Sequence, residues 1–351
     1  MRTTFPPSRK VIFLGDFIDR GAYQRQTLEI VRPMIDAGHA LALYQEQALS
    51  YDKQQLISWL TSHPYDELIL VDITPSEEFS LLYEEFFQQG IHVIGANKWA
   101  ASSDTVQYKR LIKAADKHHS LWLGNTTVGA GLPINFAIND LCNSGDSIAE
   151  ISGIFSGTLS WLFETFDGSL DFSTLLLQAQ EQGITEPDPR EDLSGRDVQR
   201  KLLILARLAG FDLDLDDIEV QNLVPDALQG ISTSEFLQRA TELDAYFAEQ
   251  VTKAKQLDSC IRYIARFKAS EKGIKAVVSL EVLKNSDAFS QITPCDNIFQ
   301  IKSHWYQENP LIIRGPGAGR DVTAGGLHSD LVTICQQLAS KQNQVKIKGI
   351  N

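Results

Sequence analysis

The chain has 351 residues, 43% of them hydrophobic and 22% charged, a balance that allows a sizeable core and predicts two domains or one large one. Asp plus Glu number 45 against 32 Lys plus Arg, and the net charge of −13 excludes a broad basic face for nucleic acid. The four cysteines are scattered without zinc-ligand spacing, and no leader or apolar run of roughly 20 residues occurs, so we expect a cytoplasmic protein with no membrane partner.

The first third of the chain alternates patterns that are typical of strands and helices. Strands are predicted at residues 10–15, 39–44, 67–72, 91–95 and 120–123, and helices at 52–62, 76–89 and 103–118. Ser76 is expected to cap its helix, because two acidic residues follow in the first turn. This alternation implies βαβ units and a parallel sheet, the arrangement of an α/β fold.

From Gly124 the pattern changes to a loop of small residues, Gly124-Asn-Thr-Thr-Val-Gly-Ala-Gly131, and then to a mainly helical stretch. Further strands are predicted at residues 148–154, 261–267, 274–283, 298–302 and 311–314. A second glycine-rich turn, Gly315-Pro-Gly-Ala-Gly319, leads into a last predicted helix.

The loop after the first strand, Leu14-Gly-Asp-Phe-Ile-Asp-Arg-Gly21, has two interpretations. It resembles the G-D-x-V-D-R-G loop of phosphoprotein phosphatases, which supplies an aspartate to a two-metal site. Such a site needs several His, Asp and Asn ligands, and the companion motifs of that family are absent from this sequence. A metallophosphatase is therefore the remote alternative.

The second interpretation is the nucleotide loop of a Rossmann fold, because the position between a first strand and a helix is right. Of the three glycines in G-x-G-x-x-G only Gly15 is present, and Phe17 stands where the backbone approaches a pyrophosphate. By itself this loop is weak evidence for a dinucleotide.

Four segments together resemble homoserine dehydrogenase, most closely the dehydrogenase half of the methionine-linked bifunctional aspartokinase–homoserine dehydrogenases. They occur in the family's order and at its approximate spacing. They are Asn125-Thr-Thr-Val-Gly-Ala-Gly-Leu-Pro133, Gly153-Ile-Phe-Ser-Gly-Thr-Leu-Ser160, Thr185-Glu-Pro-Asp-Pro-Arg-Glu-Asp-Leu-Ser-Gly-Arg-Asp-Val-Gln-Arg-Lys201 and Gly315-Pro-Gly-Ala-Gly-Arg-Asp-Val-Thr-Ala324. The resemblance implies NAD(P)-dependent interconversion of L-homoserine and L-aspartate 4-semialdehyde, within threonine and methionine biosynthesis.

The resemblance also assigns the substrate-handling residues. It implies that Glu186, Asp192 and Asp197 orient the ammonium of the amino acid and a neighbouring lysine, and that Lys201 donates a proton to the aldehyde oxygen. Taken alone, an Asp-x-x-x-Lys pair on a helix is usually a solvated surface pair. Gly157 and Thr158 are the further substrate-binding candidates.

Lys98 follows a strand's carboxyl end in Gly95-Ala-Asn-Lys98, and the resemblance gives it a share of the proton-transfer role and of cofactor binding. The other cofactor-binding candidates are Gly15, Glu46, Thr74, Pro75, Ser76, Gly317 and Gly319. A carboxylate at Glu46 would repel a 2′-phosphate, which favours NAD over NADP.

Three further expectations follow from the resemblance. The backbone carbonyls of Val128 and Ala130 are candidate ligands of a monovalent cation. A Rossmann-like nucleotide-binding domain is expected over residues 1–131, completed by 315–345, with a mixed α+β substrate-binding and dimerisation domain over 132–314, so we expect a homodimer. Because the glycine fingerprint has degenerated, a paralogue that binds an amino acid but no dinucleotide is the alternative.

Overall fold

The structure is a computed structural model that describes residues 9–14, 53–62 and 67–348. The chain divides into two compact units, unit 1 over Met1–Thr127 and Thr323–Asn351 and unit 2 over Val128–Val322. The predicted boundaries differ from this division, because residues 128–131 and 315–322 belong to unit 2. The predicted strand at 39–44 lies outside the described residues, as do Gly15, Phe17 and Glu46.

Unit 1 contains four strands and four helices among its described residues before Thr127. In chain order they are β1 (Arg9–Leu14), α1 (Lys53–Thr61), β2 (Glu67–Asp72), α2 (Glu77–Ser80), α3 (Tyr83–Gln88), β3 (His92–Gly95), α4 (Thr105–Lys117) and β4 (Trp122–Leu123). The strands form a parallel sheet in the order β1-β2-β3-β4. The predicted parallel sheet is confirmed for this part of the chain.

One predicted helix differs from the structure. The pattern at 76–89 predicts one helix, but two short helices form, and at the break the Leu82 amide donates to the Phe79 carbonyl at 3.1 Å. No glycine or proline stands there, so packing of buried aromatic side chains outweighs local helix propensity. Ser76 does cap α2, because its hydroxyl accepts the Phe79 amide at 3.1 Å.

Unit 2 is built from helices around a second sheet. Its elements are α5 (Ile134–Asn143), β5 (Ile148–Ile154), α6 (Gly157–Thr165), α7 (Phe172–Glu181), α8 (Pro189–Leu193), α9 (Arg196–Leu208), β6 (Ile218–Val220), α10 (Asp226–Gln229), α11 (Thr233–Gln238), α12 (Asp244–Gln256), β7 (Ser259–Ser270), β8 (Gly273–Lys284), β9 (Asp296–Ser303) and β10 (Leu311–Pro316). The closing helix α13 (Arg320–Lys348) follows.

The sheet of unit 1 is buried on both faces. Successive residues of a strand point to opposite sides, so Leu68 and Leu70 pack with Phe79 and Phe86, while Ile69 packs on the other side. Helix α13 covers that other side with buried apolar side chains, namely Leu327, Leu331, Ile334 and Leu338. This two-sided burial explains the nearly continuous apolar run of β2 and fits a parallel sheet.

The sheet of unit 2 is mixed, with strand order β10-β9-β5-β7-β8-β6. All neighbouring pairs are antiparallel except β6 with β8, and the short β6 was not predicted. At Gly153 an added Cβ would overlap the Ile298 carbonyl, so only glycine allows β5 and β9 to pair there. A parallel sheet in one unit and a mixed sheet with helices in the other confirm the α/β class.

No helix among the described residues is both long and apolar enough to cross a membrane. Within the same residues, His, Cys, Asp and Glu side chains form no group of three that could hold a metal ion.

Candidate functional site

A buried carboxylate organises the carboxyl end of β2 in unit 1. Asp72, the last residue of that strand, is fully buried and accepts hydrogen bonds from the Tyr83 hydroxyl at 2.6 Å, the Thr74 amide at 2.8 Å and the Asn97 amide group at 3.0 Å. Burial raises the pKa of the Asp72 carboxyl, and these hydrogen bonds oppose that rise. The acid therefore fixes the loop after β2 rather than reacting.

Asn97 links this loop to the loop after β3. Its side-chain nitrogen also donates to the Ser76 carbonyl at 2.8 Å, and its oxygen accepts the Trp99 amide at 2.9 Å. The Trp99 indole donates to the Pro75 carbonyl at 3.0 Å. Lys98, which is half-buried, is thus flanked by two residues that bind the 74–76 segment, and adjacent strand ends are where open α/β sheets take ligands.

Asp330 supports the loop that leaves β4. This residue of α13 is fully buried, and its carboxylate accepts the Asn125 amide at 3.0 Å. Burial raises the pKa of Asp330 to about 7, and the hydrogen bond from Asn125 only partly opposes this. The contact joins residues 205 positions apart in sequence, so no local pattern predicts it.

In unit 2 the most specific segment of the sequence, residues 185–201, forms α8, a turn and the start of α9. Asp188 caps α8 and pairs with Arg190 at 2.6 Å, and Arg190 also donates to the carbonyls of Leu228, Gln229 and Ile231. Through Asp188 and Arg190, the Asp-Pro-Arg part of the motif therefore binds the segment to the end of α10 and the loop that follows it.

Gly195 occupies the N-cap of α9 in the left-handed region, with φ +73. A Cβ there would overlap the hydroxyl of Tyr263, which itself donates to the Gln221 carbonyl at 2.7 Å. Both conformation and space require glycine, and the position fixes where α9 begins.

Lys201 lies one turn after Asp197 on α9, and its ammonium is held on two sides. It donates to the Asp197 carboxylate at 2.8 Å and to the Phe155 carbonyl at 2.8 Å. Only 13% of its side chain is exposed, whereas Lys253, which pairs with Glu249 at the same spacing on α12, is 57% exposed. Lys201 is thus not a solvated surface lysine, although its partner Asp197 is 48% exposed.

Asp192 is the acid of this segment whose pKa is raised by burial. It accepts the Glu186 amide at 2.8 Å, and burial raises its pKa to about 6, which that hydrogen bond partly opposes. The carboxylates of Glu186 and Asp197 add to the rise. The hydroxyl of Thr158 beside it donates to the Ile184 carbonyl at 2.8 Å. Glu186 itself is exposed, so it is accessible to a ligand.

The predicted backbone sites of unit 2 lie in a turn at residues 128–130, in the glycine-rich loop before α13 and at the start of α6. Gly129 lies between the predicted cation ligands Val128 and Ala130, and Gly129 and Ala130 are consecutive left-handed residues with φ +77 and +53. Gly319 has φ +135, and Gly317 lies so close to the Asn297 side chain that a Cβ would overlap its amide. Gly157 is the first residue of α6, directly after the Ser156 cap.

The structure brings together Asp197 and Lys201, and Glu186 with Asp192, as the sequence segment predicts. Sequence reasoning missed the Phe155 carbonyl and Asn297, which also donates to it at 3.2 Å. The position of Phe155 between Gly153 and Gly157 could have drawn attention to it, whereas nothing in the sequence around Asn297 marks that residue. Thr74, Pro75 and Ser76 lie at the end of β2, as predicted from their position.

Comparison with known proteins places this geometry in a family. The homoserine dehydrogenase family profile matches residues 133–332, and the profile of the homoserine dehydrogenase NAD-binding domain matches residues 21–124. The chain belongs to the homoserine dehydrogenase family. The predicted resemblance is therefore confirmed.

Relatives from two distant organisms support membership of this family. The chain is 47% identical over 304 residues to bifunctional aspartokinase/homoserine dehydrogenase 2 of Escherichia coli K12, covering 87% of this chain and 37% of that protein. It is 37% identical over 308 residues to a homoserine dehydrogenase of Emericella nidulans, covering 85% of this chain and 82% of that one. The chain thus spans about a third of the length of the bifunctional relative.

The fold is shared with solved members of the homoserine dehydrogenase family. A homoserine dehydrogenase from Thiobacillus denitrificans superimposes with a TM-score of 0.70 at 19% identity, covering 95% of this chain and 74% of that one. At this identity the similarity concerns the fold alone.

Proposed function

We propose that the protein is an NAD(P)-dependent oxidoreductase that interconverts L-homoserine and L-aspartate 4-semialdehyde. The observation that carries the proposal is the Lys201 ammonium, largely buried and directed by Asp197 and the Phe155 carbonyl. An ammonium held in this way can give a proton to an aldehyde oxygen as hydride reaches the adjacent carbon, and can take it back in the reverse direction.

The residues of unit 1 fit a nicotinamide dinucleotide. Segments 74–76 and 97–99 follow neighbouring parallel strands, and Asp72 and Asn97 bind them to each other. This is where open sheets place nucleotides, and the matched NAD-binding profile covers both segments. When bound, the nicotinamide supplies or accepts the hydride. Thr74, Pro75, Ser76 and Lys98 would hold it here, with Gly317 and Gly319 in unit 2 as further candidates.

The substrate is an amino acid, and acidic side chains suit its ammonium. We assign that ammonium to Glu186 and Asp192, since Glu186 is exposed and its backbone amide binds Asp192. We assign Gly157 and Thr158 to the same substrate site. The Thr158 hydroxyl donates to the carbonyl of Ile184, the residue directly before this segment. Lys98 is the second amine assigned to proton transfer.

The function is tested by following absorbance at 340 nm with homoserine and either cofactor. We expect turnover with NAD to exceed turnover with NADP, because Glu46 would repel a 2′-phosphate. The same assay in choline chloride, then with sodium or potassium, tests the Val128 and Ala130 carbonyls as cation ligands, since turnover should rise only with the metal ion. Absence of turnover with both cofactors and every salt would contradict the proposed activity.

The pH dependence of substrate capture should report Asp192. Because burial raises its pKa to about 6, the carboxyl is neutral below that pH and cannot attract an ammonium by charge. We therefore expect kcat/KM for homoserine to fall as the pH drops through about 6. Asp192→Asn should lower kcat/KM above pH 6 and remove this limb. Glu191→Gln, at an exposed neighbouring carboxylate, should keep the limb, and an Asp192→Asn profile that also keeps it would exclude Asp192 as its source.

We also propose that the protein is a homodimer that pairs through the sheet of unit 2. Strand register places Ile312, Gln300, Ser152, Arg266 and Val277 side by side across five strands on one face. Ile312 is 45% exposed, and Arg266 is paired with Glu281 at 2.8 Å, so the face mixes apolar groups with compensated charge.

Sedimentation velocity tests this surface. The wild type should sediment as a dimer, and Ile312→Glu should raise the dimer dissociation constant by about tenfold or more, because a carboxylate would be buried in the interface. Val106→Glu, at a residue that is 78% exposed in unit 1, is the control and should leave the constant unchanged. A monomeric wild type would contradict the proposal.

A further inference from the structure

Two side chains donate to one backbone oxygen in unit 2. The Phe155 carbonyl accepts the Lys201 ammonium at 2.8 Å and the Asn297 side-chain nitrogen at 3.2 Å. A carbonyl oxygen has two lone pairs and can take both donors. Asn297 is fully buried, and its amide has one sensible orientation, because the reverse would bring two oxygens together. Asn297 and Lys201 are therefore bound to the same backbone oxygen, that of Phe155.

Strand β9 holds Phe155 at two points. Besides the hydrogen bond from Asn297, the ring of Phe299 stacks on the ring of Phe155, with centroids 4.7 Å apart and planes 24° apart. Asn297 and Phe299 are two residues apart in β9, and both are fully buried. Ring and carbonyl of Phe155 are thus fixed by one strand, which sets the direction in which the carbonyl meets Lys201.

The Asn297 amide also lies against the second glycine-rich loop. A Cβ on Gly317 would overlap this amide, so the loop backbone lies directly against it. The Asn297 side-chain oxygen is buried and has no hydrogen-bond partner among the described residues. The amide is therefore fixed both by its hydrogen bond to the Phe155 carbonyl and by its contact with the loop backbone.

We propose that Asn297 is a positioning residue that keeps the Lys201 ammonium at a fixed position relative to the 315–319 loop. The inference rests on the proposed function, in which Lys201 transfers the proton and the loop approaches the dinucleotide. Asn297 acts through the Phe155 carbonyl and touches neither substrate nor cofactor. A movement of the loop would shift the amide, and with it the anchor of the lysine.

The first test replaces the amide with an apolar side chain of similar size. Asn297→Leu should lower kcat about tenfold, the effect of weakening one charge-assisted hydrogen bond, and leave KM for homoserine within about twofold. Ser303→Ala is the control, because Ser303 is also fully buried in β9 but its hydroxyl accepts the Tyr306 amide. It should alter the melting temperature without changing kcat. An unchanged kcat for Asn297→Leu would overturn the proposal.

A double-mutant cycle separates positioning from general weakening of the fold. If Asn297 acts through Lys201, Asn297→Leu should lower the residual rate of Lys201→Ala by less than about twofold, because the group it positions is gone. A further tenfold loss in that background would show that Asn297 acts elsewhere. Turnover of homoserine by the wild type is measured first. If the wild type has no turnover, the proposed function fails; if it turns over and the variants do not behave as expected, only the role of Asn297 fails.

The loop contact has a test that does not depend on turnover. Gly317→Ala should weaken binding of NADH, measured by its fluorescence, since the new methyl group overlaps the Asn297 amide. Adding Asn297→Ala removes the overlap and should restore the dissociation constant to within about threefold of wild type, while kcat stays low. If the second substitution gives no recovery, the amide is not the group that the loop contacts.

Discussion

Replacing Lys201 with alanine is expected to lower kcat by about 10³-fold, within the range that general acid–base groups contribute, and to leave cofactor affinity nearly unchanged. This loss corresponds to roughly 4 kcal/mol of transition-state stabilisation. The reason is the place of the ammonium, which Asp197 and the Phe155 carbonyl direct from two sides at 2.8 Å. Steady-state rates with homoserine, together with a titration with NADH, measure the two effects separately.

The chain offers a matched control for this substitution. Lys253→Ala removes a lysine with the same i,i+4 partner geometry, but on an exposed part of α12, and should change neither kcat nor KM. Lys201→Arg keeps the charge but provides a group that does not release its proton near neutral pH, so it should be nearly as slow as the alanine variant. A Lys201→Ala enzyme with the wild-type rate would remove this residue from the chemistry.

Gly195→Ala should lower the free energy of unfolding by about 3 kcal/mol. The new Cβ would be strained by the left-handed backbone and would overlap the Tyr263 hydroxyl. Because Gly195 starts α9, the displacement should also move Asp197 and Lys201 and lower kcat. Urea denaturation measures the first effect and steady-state kinetics the second.

Gly210 provides the control for backbone strain alone. It follows the other end of α9, has φ +88, and a Cβ there would meet nothing within 4 Å. Gly210→Ala should therefore cost only about 1 kcal/mol and leave kcat unchanged. Equal losses of stability in the two variants would show that the contact with Tyr263 contributes nothing.

Local patterns predicted much of the architecture. The apolar run of β2 predicts a strand buried on both faces, and the structure confirms it at residues 67–72. The cap at Ser76 and the long strands β7 and β8 were also predicted, with bounds extended by a few residues in the structure. These features follow from side-chain periodicity and capping, which depend on residues only a few positions apart.

The break between α2 and α3 and the pairing of β6 with β8 could not be predicted in this way. The break follows from where buried aromatic side chains meet the sheet, and the Tyr83 hydroxyl, just after it, bonds to Asp72. Strand β6 has only three residues, too few for an alternation of apolar and polar side chains to be recognised. It forms because its backbone pairs with the edge of β8. Contacts between distant segments decided both.

For the site, the sequence by itself determined that Asp197 and Lys201 share one face of a helix, because their spacing matches one helical turn. Only the tertiary structure decided that the Lys201 side chain is largely buried and that its ammonium meets the Phe155 carbonyl, 46 residues away. It likewise decided that Asn297 shares that carbonyl across 142 residues. Hydrogen bonds to backbone carbonyls depend on chain path and not on residue type, so no sequence pattern reveals such partners in advance.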